Sequence, residues 1–316
     1  MSSNTNTLRA LFASLILMAI SFQGHAAACP QADPAALKWL DKMSRSSNEV
    51  NYNGVVTFQR GDNMQVMQIV HSVVEGTSSE SLTQLTGQGA QVVRVDHPLQ
   101  CVHPGHRLLR LGEGLQSGEC GISKYYRLSV TEGERIAGRK AVRIKVDSRD
   151  MYRYGYVMEL DRETGLLLKT QTLGPGRKIL ERFQFAKLSY GPGNAAVAKP
   201  ELVHKASHPA HISESNSALP LNRWNIHWLP GGFTETDKPE VGASRQTFTD
   251  GLAVFSVFLE RLPKEIRPGE GVVRHGGTTS YSRGMILSGN SVLVTVIGEV
   301  PVNTARMVAD SIRWMP

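Results

Sequence analysis

This chain has few cysteines, no long apolar run and none of the short motifs that mark common catalytic chemistry. Its three cysteines, Cys29, Cys101 and Cys120, include no C-x-x-C pair, which argues against a structural zinc site. The apolar run Leu11–Ile20 is too short to span a bilayer, and no later run is long enough. No G-x-S-x-G, H-E-x-x-H, P-loop or dinucleotide fingerprint is present. The glycine-rich stretch Gly112–Gly121 lacks the following helix that phosphate binding needs. Basic residues are scattered among acids rather than clustered, so nucleic acid is not an expected partner.

The first 28 residues have the form of a secretory signal. Arg9 is their only charge, Leu11–Ile20 is a short apolar core, and Ala26, Ala27 and Ala28 supply small residues for cleavage. This implies export, with the periplasm as the expected compartment. Acylation at Cys29 is the alternative, but Ala26 stands where a lipobox prefers leucine. The formal charge of +7 falls to +6 once Arg9 leaves, which suits an acidic protein or anionic lipid headgroups. In an oxidising compartment Cys101 and Cys120 are the candidate disulfide, with free thiols as the alternative; His97, His103 and His106 near Cys101 leave a metal site as a third reading.

The remaining length is too great for one typical core. We expect a large domain over 29–191, a linker over 192–221 and a small domain over 222–316. Asp33-Pro34 opens a helix with an apolar stripe of Leu37, Leu40 and Met43, ending at Ser44–Ser47. Short alternating strands follow, joined by polar turns such as Gly61-Asp62-Asn63 and Asp161–Gly165. Sequential strands with short turns predict an antiparallel meander, closed as a curved sheet with the helix in its concavity. The stretch 192–220, with Gly193, Pro200, Pro209 and many Ser and Asn, has no periodicity and reads as linker; His204, His208 and His211 read as solvated rather than metal-bound. Beyond it, Asp250-Gly251 is a two-residue hairpin signal, and Pro301 starts a helix with Ala305, Val308, Ala309 and Ile312 on one face. The small domain is thus an antiparallel sheet covered by one terminal helix, and the fold class is α+β, mainly antiparallel β.

No constellation of catalytic groups converges. Ser256 lies mid-strand, and Glu159, Asp161 and Glu163 straddle a turn that Asp161 itself stabilises. What remains is apolar surface. Met64, Val66, Tyr154, Tyr156, Met158, Phe183 and Phe185 are the candidate ligand wall on a concave sheet face, with ordinary core packing under the helix as the competing reading.

The segments Glu134-Arg135-Ile136-Ala137-Gly138-Arg139, Tyr152-Arg153-Tyr154-Gly155-Tyr156, Leu160–Lys169 and Leu180–Phe185 are followed in the second half by Trp228-Leu229-Pro230, Asp250-Gly251-Leu252-Ala253 and Val294–Pro301. Taken together and in this order, they resemble the MucB/RseB family of periplasmic negative regulators of the envelope-stress sigma factor. The resemblance implies a half-open antiparallel barrel like that of the lipoprotein carriers, enclosing helices, plus a small domain that contacts the periplasmic part of a membrane-spanning anti-sigma factor. It implies a non-enzymatic protein without cofactor or metal, which shields that partner from proteolysis and is released by lipid or lipopolysaccharide. A periplasmic lipid or lipoprotein carrier is the alternative, and a second copy of the chain is a further possible partner.

Overall fold

The computed structural model describes residues 33–74, 77–87, 91–98, 121–191, 203–205, 224–236, 245–263, 266, 269–287 and 289–314. The signal segment, Cys29, Cys101, Cys120, His103, His106, His208 and His211 lie outside the described residues.

Asp33 caps α1 (Pro34–Glu49): its Oδ1 accepts from the N–H of Ala35 at 2.9 Å and of Ala36 at 3.3 Å, and Pro34 takes the first helical position. The helix outlasts the expected stop at Ser44–Ser47, because the Ser46 hydroxyl donates back to the Met43 carbonyl instead of breaking the turn. Ten strands follow: β1 (Tyr52–Arg60), β2 (Asn63–Val74), β3 (Thr77–Gln84), β4 (Gln91–Pro98), β5 (Tyr126–Ile136), β6 (Arg139–Ser148), β7 (Gly155–Asp161), β8 (Leu167–Leu173), β9 (Ile179–Tyr190) and β10 (Val203–Lys205). They form one sheet in the order β10-β4-β3-β2-β1-β9-β8-β7-β6-β5. Two local meanders, β1–β4 and β5–β9, are stitched by the antiparallel pairing of β1 with β9. Among the described residues the end strands β10 and β5 do not pair, so the described sheet is open. Among the described residues one pair is parallel, β10 on β4: residues 203–205, inside the stretch expected as linker, return to extend the large sheet. Leu37 and Leu40 of α1 are buried among Ile122, Tyr126, Ile144, Tyr156, Met158 and Leu160. Each such aliphatic side chain contributes roughly 1.5–3 kcal/mol by leaving water.

The second unit comprises β11 (Trp224–Ile226), β12 (Thr234–Glu235), β13 (Arg245–Thr249), β14 (Val254–Arg261), β15 (Glu270–His275), β16 (Thr278–Leu287), β17 (Asn290–Gly298), α2 (Val302–Asp310) and β18 (Ile312–Trp314). Six strands order as β12-β13-β14-β17-β16-β15, and β11 pairs with β18 in a separate ribbon. Alternate residues of β14 and β17 (Phe255, Val257, Leu259; Val292, Val294, Val296) are buried with Ala305, Val308 and Ala309 of α2. The Asp250-Gly251 turn is longer than two residues. Thr249 pairs with Val254, so residues 250–253 form the loop, and the Asp250 carboxylate accepts from the N–H of Leu252 and Ala253 at 3.1 and 2.9 Å. The chain is therefore α+β with mainly antiparallel sheets, a large open sheet and a smaller one with a C-terminal helix.

Candidate functional site: the concave wall and the domain seam

Strand register decides which proposed wall residues share a face, because directly paired residues point to the same side. Met158 pairs with Thr170, Thr170 with Phe183, Phe183 with Phe58, and Phe58 with Gln65. Val56 stands beside both Phe185 and Met67. Tyr156, Met158, Phe183 and Phe185 thus share one wall, which continues through Phe58 and Val56. Met64 and Val66 leave it: they pair with Gln59 and Thr57 on the opposite face, and Met64 is 59% exposed.

The shared wall is packed. Tyr154, Tyr156, Met158 and Phe185 are buried, the first three in the core beneath α1. Phe183 meets Phe185 edge-on at 5.5 Å, Phe185 meets Tyr52 edge-on at 5.8 Å, and Tyr52 stacks on His71 at 5.0 Å. Among the described residues the buried Tyr156 hydroxyl has no hydrogen-bond partner. A nearby hollow of about 150 Å³, lined by Gln59, Gly61, Ile179, Leu180, Glu181 and Arg182, is smaller than a typical site for a drug-sized ligand.

The carboxylates that suggested acid–base chemistry are spent on structure. Glu159 and Asp161 are both buried. Glu159 accepts from Arg143 Nε at 2.6 Å and from the Glu134 N–H at 3.1 Å. Asp161 accepts from Arg139 Nε at 2.7 Å, from the Tyr190 hydroxyl at 2.8 Å and from the N–H of Glu163 at 2.7 Å. Burial alone would raise the Asp161 carboxyl; the hydrogen bonds from Arg139, Tyr190 and the backbone outweigh it and hold the group below the usual aspartate range. Among the described residues no group of three or more His, Cys, Asp or Glu could hold a metal ion.

The densest polar chemistry lies where the two sheets' units meet. Arg153, with a fully buried side chain, donates from Nη1 to Asp250 Oδ2 at 2.6 Å and from Nη2 to the Gly231 carbonyl at 2.5 Å. Its Nε donates to Asp150 at 3.1 Å, and its guanidinium lies within 5.4 Å of the rings of Tyr125, Tyr126 and Phe233. The Tyr126 hydroxyl donates to the same Asp250 oxygen at 2.8 Å. Burial disfavours the Arg153 charge, yet Asp250 and Asp150 more than offset it, so the guanidinium is raised above its ordinary range. Burial first and Asp250 second push the Tyr126 hydroxyl far up.

Around this ion pair the contact spreads. The Tyr154 hydroxyl donates to the Val300 carbonyl at 3.2 Å, the Thr304 hydroxyl donates to the Tyr152 carbonyl at 2.9 Å, and Tyr152 meets Trp228 edge-on at 5.1 Å. Gly232, at φ +89°, lies so close to the Tyr125 ring that a Cβ there would stand 2.3 Å from it. At the other end, the Gly276-Gly277 turn seats against Glu181, which holds Arg60 Nε at 2.9 Å. Glu299 stands at the rim. Burial first and Glu181 second push its carboxyl upward against Arg60, but its surface is still exposed, so water screens that push.

Sequence reading missed Arg153, Asp250 and Gly232 as seam residues. Asp250 signalled only a turn, and its second role depends on a partner 97 residues away.

Comparison with known proteins bears on both units. A family model for the MucB/RseB N-terminal domain matches residues 35–206, and one for the MucB/RseB C-terminal domain matches residues 219–313. The sigma factor AlgU regulatory protein MucB of Pseudomonas aeruginosa is 33% identical, with 88% of this chain and 90% of that protein covered. The sigma-E factor regulatory protein RseB of Escherichia coli K12 is 23% identical over 95% of this chain and 96% of its own length. Among solved structures, MucB in complex with MucA(peri) superposes with a TM-score of 0.66 at 32% identity, covering 89% of this chain and 99% of that one.

Proposed function

Since this chain belongs to the MucB/RseB family, we propose that it is a periplasmic regulator that binds the periplasmic part of a membrane-spanning anti-sigma factor. Bound there, it shields that partner from proteolysis and restrains the envelope-stress sigma factor. Lipid, including lipopolysaccharide, releases it. The observation that carries the reading is the match along both units to a protein solved as a complex with MucA(peri), with 89% of this chain aligned.

The geometry supports a shield rather than a catalyst. A shield needs surface and a fixed arrangement of its parts, and the Arg153–Asp250 seam fixes how the two units sit together. Glu159 and Asp161 are already saturated by structural partners. Release then follows from linkage: a lipid that favours a rearranged wall lowers affinity for the anti-sigma segment by the same coupling factor. Because Tyr154, Tyr156, Met158 and Phe185 are closed in core, an acyl chain has to displace α1 or the wall to enter. That closed wall also counts against a constitutive lipid carrier.

The test is co-elution of the mature chain with the periplasmic fragment of the anti-sigma factor from the same organism. A stable complex at micromolar concentration is expected. Absence of a complex, with both proteins folded, overturns the proposal.

A further inference from the structure

Basic residues that lie far apart in the sequence come together on the outer face of the large sheet, the face away from α1. Directly paired residues share a face. Lys145 of β6 stands beside Val157 of β7, Val157 beside Gln171 of β8, and Gln171 beside Arg182 of β9. The row continues through Gln59 to Met64, which is 59% exposed. The next row sets Arg143 beside Glu159, Glu159 beside Lys169, and Lys169 beside Gln184. Lys187, exposed, stands on the same face beside Val55.

The acids on this face do not balance the cations. Glu159 is buried and accepts from Arg143 Nε at 2.6 Å. Glu134, from the bulge of β5, accepts from Arg143 Nη2 at 2.7 Å and from Lys169 Nζ at 2.9 Å. Asp147 at the flank is held by Arg177 at 2.9 Å. Among the described residues Lys145, Arg182 and Lys187 have no carboxylate partner. The Gln171 amide, turned with its oxygen to the guanidinium, accepts from Arg182 at 3.0 and 3.1 Å, a neutral partner that leaves the charge in place. Across the two rows and Lys187, five cations therefore meet two carboxylates, a surplus of three.

The shape of this surplus selects its partner. Lys145 and Arg182 are three strand spacings apart, roughly 14 Å, so the charge is spread over a surface rather than gathered around one small ion. The strands beneath it, β6 to β9, are paired on both sides, so no backbone edge is offered to an added peptide strand. An anionic bilayer matches a broad cationic patch by charge alone, and the exposed Met64 at the end of the row can enter the headgroup layer. Among the described residues no helix is long and apolar enough to cross a membrane, so this contact is peripheral.

We infer that the outer face of the large sheet is a docking surface for an anionic phospholipid bilayer, held through Lys145, Arg182 and Lys187. Docked this way, the chain turns α1 and the concave wall away from the membrane. The contact uses headgroup charge and is separate from any acyl chain entering the wall. Each cation near such a surface strengthens binding about fivefold, and salt screens the effect.

The test is co-sedimentation of the full mature chain with vesicles of phosphatidylcholine, with and without phosphatidylglycerol. Binding is expected only with phosphatidylglycerol, and it should fall steeply between about 0.1 M and about 0.5 M salt. Lys145→Glu and Arg182→Glu should each weaken it more than about tenfold. Lys38→Glu makes the same charge change on α1, at the opposite side of the sheet, and should alter it less than about twofold. The inference is overturned if phosphatidylglycerol vesicles do not bind at low salt, if plain phosphatidylcholine binds equally well, or if Lys38→Glu weakens binding as much as Lys145→Glu. It is also overturned if the double variant of Lys145→Glu and Arg182→Glu binds vesicles normally but loses the anti-sigma fragment, since the face would then serve that acidic protein. A double variant that loses vesicles and keeps the fragment supports the inference and leaves the proposed function standing.

Discussion

Asp161 shows how much a single residue can hold. Its carboxylate closes a turn through the N–H groups of Glu163 and Thr164, and binds Arg139 and Tyr190. An aspartate in the unfolded chain titrates near about 3.9, and in the fold this one lies lower. The unfolded chain therefore takes up the proton first as pH falls. The stabilisation is fully present above the unfolded value and is lost as pH drops through the native one. Asp161→Asn keeps a turn acceptor but loses the charge against Arg139. It should lower the urea midpoint at neutral pH and flatten its fall between about pH 5 and pH 2. An unchanged acid limb would assign that slope elsewhere, with Glu134, lowered first by Lys169, the next candidate. The turn role of Asp161 was legible in sequence because its amide partners lie two and three residues away. Arg153 was illegible because Asp250 and Gly231 lie 97 and 78 residues away, and no local pattern encodes such a distance.

Among the elements, helices and most hairpins were readable because their signals are local. Asp33-Pro34 marks the start of α1, and Gly61, at φ +56°, marks the β1–β2 turn. The same turn explains why Met64 and Val66 were misplaced. Pairing Arg60 with Asn63 sets even-numbered residues of β1 beside odd-numbered residues of β2, so a wall containing Phe58 takes Gln65 and Met67. β15 was missed for another reason. Its two valines are adjacent rather than alternating, with Gly271 directly before them and Arg274 directly after, so no period-2 signal forms. The sequence places α1 in the concavity of the sheet, and the structure seats it there. Leu40 is fully buried against the β5–β7 wall, so Leu40→Ala should cost about 2–5 kcal/mol in urea unfolding. A cost below about 1 kcal/mol would mean that the helix is only loosely seated.

At the scale of the whole molecule, a buried ion pair joins the two units. Removing one partner of such a pair strands the other charge, at about 3–5 kcal/mol. Asp250→Asn keeps a turn acceptor and leaves Arg153, buried among Tyr125, Tyr126 and Phe233, with Asp150 as its remaining carboxylate. The expected result is a loss of about 3 kcal/mol and a split of one thermal transition into two as the small unit uncouples. A single unshifted transition would show that the surrounding contacts hold the units without the ion pair.

The stitching of β1 to β9 also sets a clock. Tyr52 pairs with Tyr190, so the two meanders cannot join until about three-fifths of the chain has been delivered. The β5–β9 meander can form early from neighbouring strands, whereas closure waits on a long loop whose entropy must be overcome first. During that interval Val56, Phe183 and Phe185 face solvent along two unpaired strand edges. A chain of this design is most vulnerable to aggregation and proteases then, so escort by a chaperone matters most before residue 190 finds residue 52.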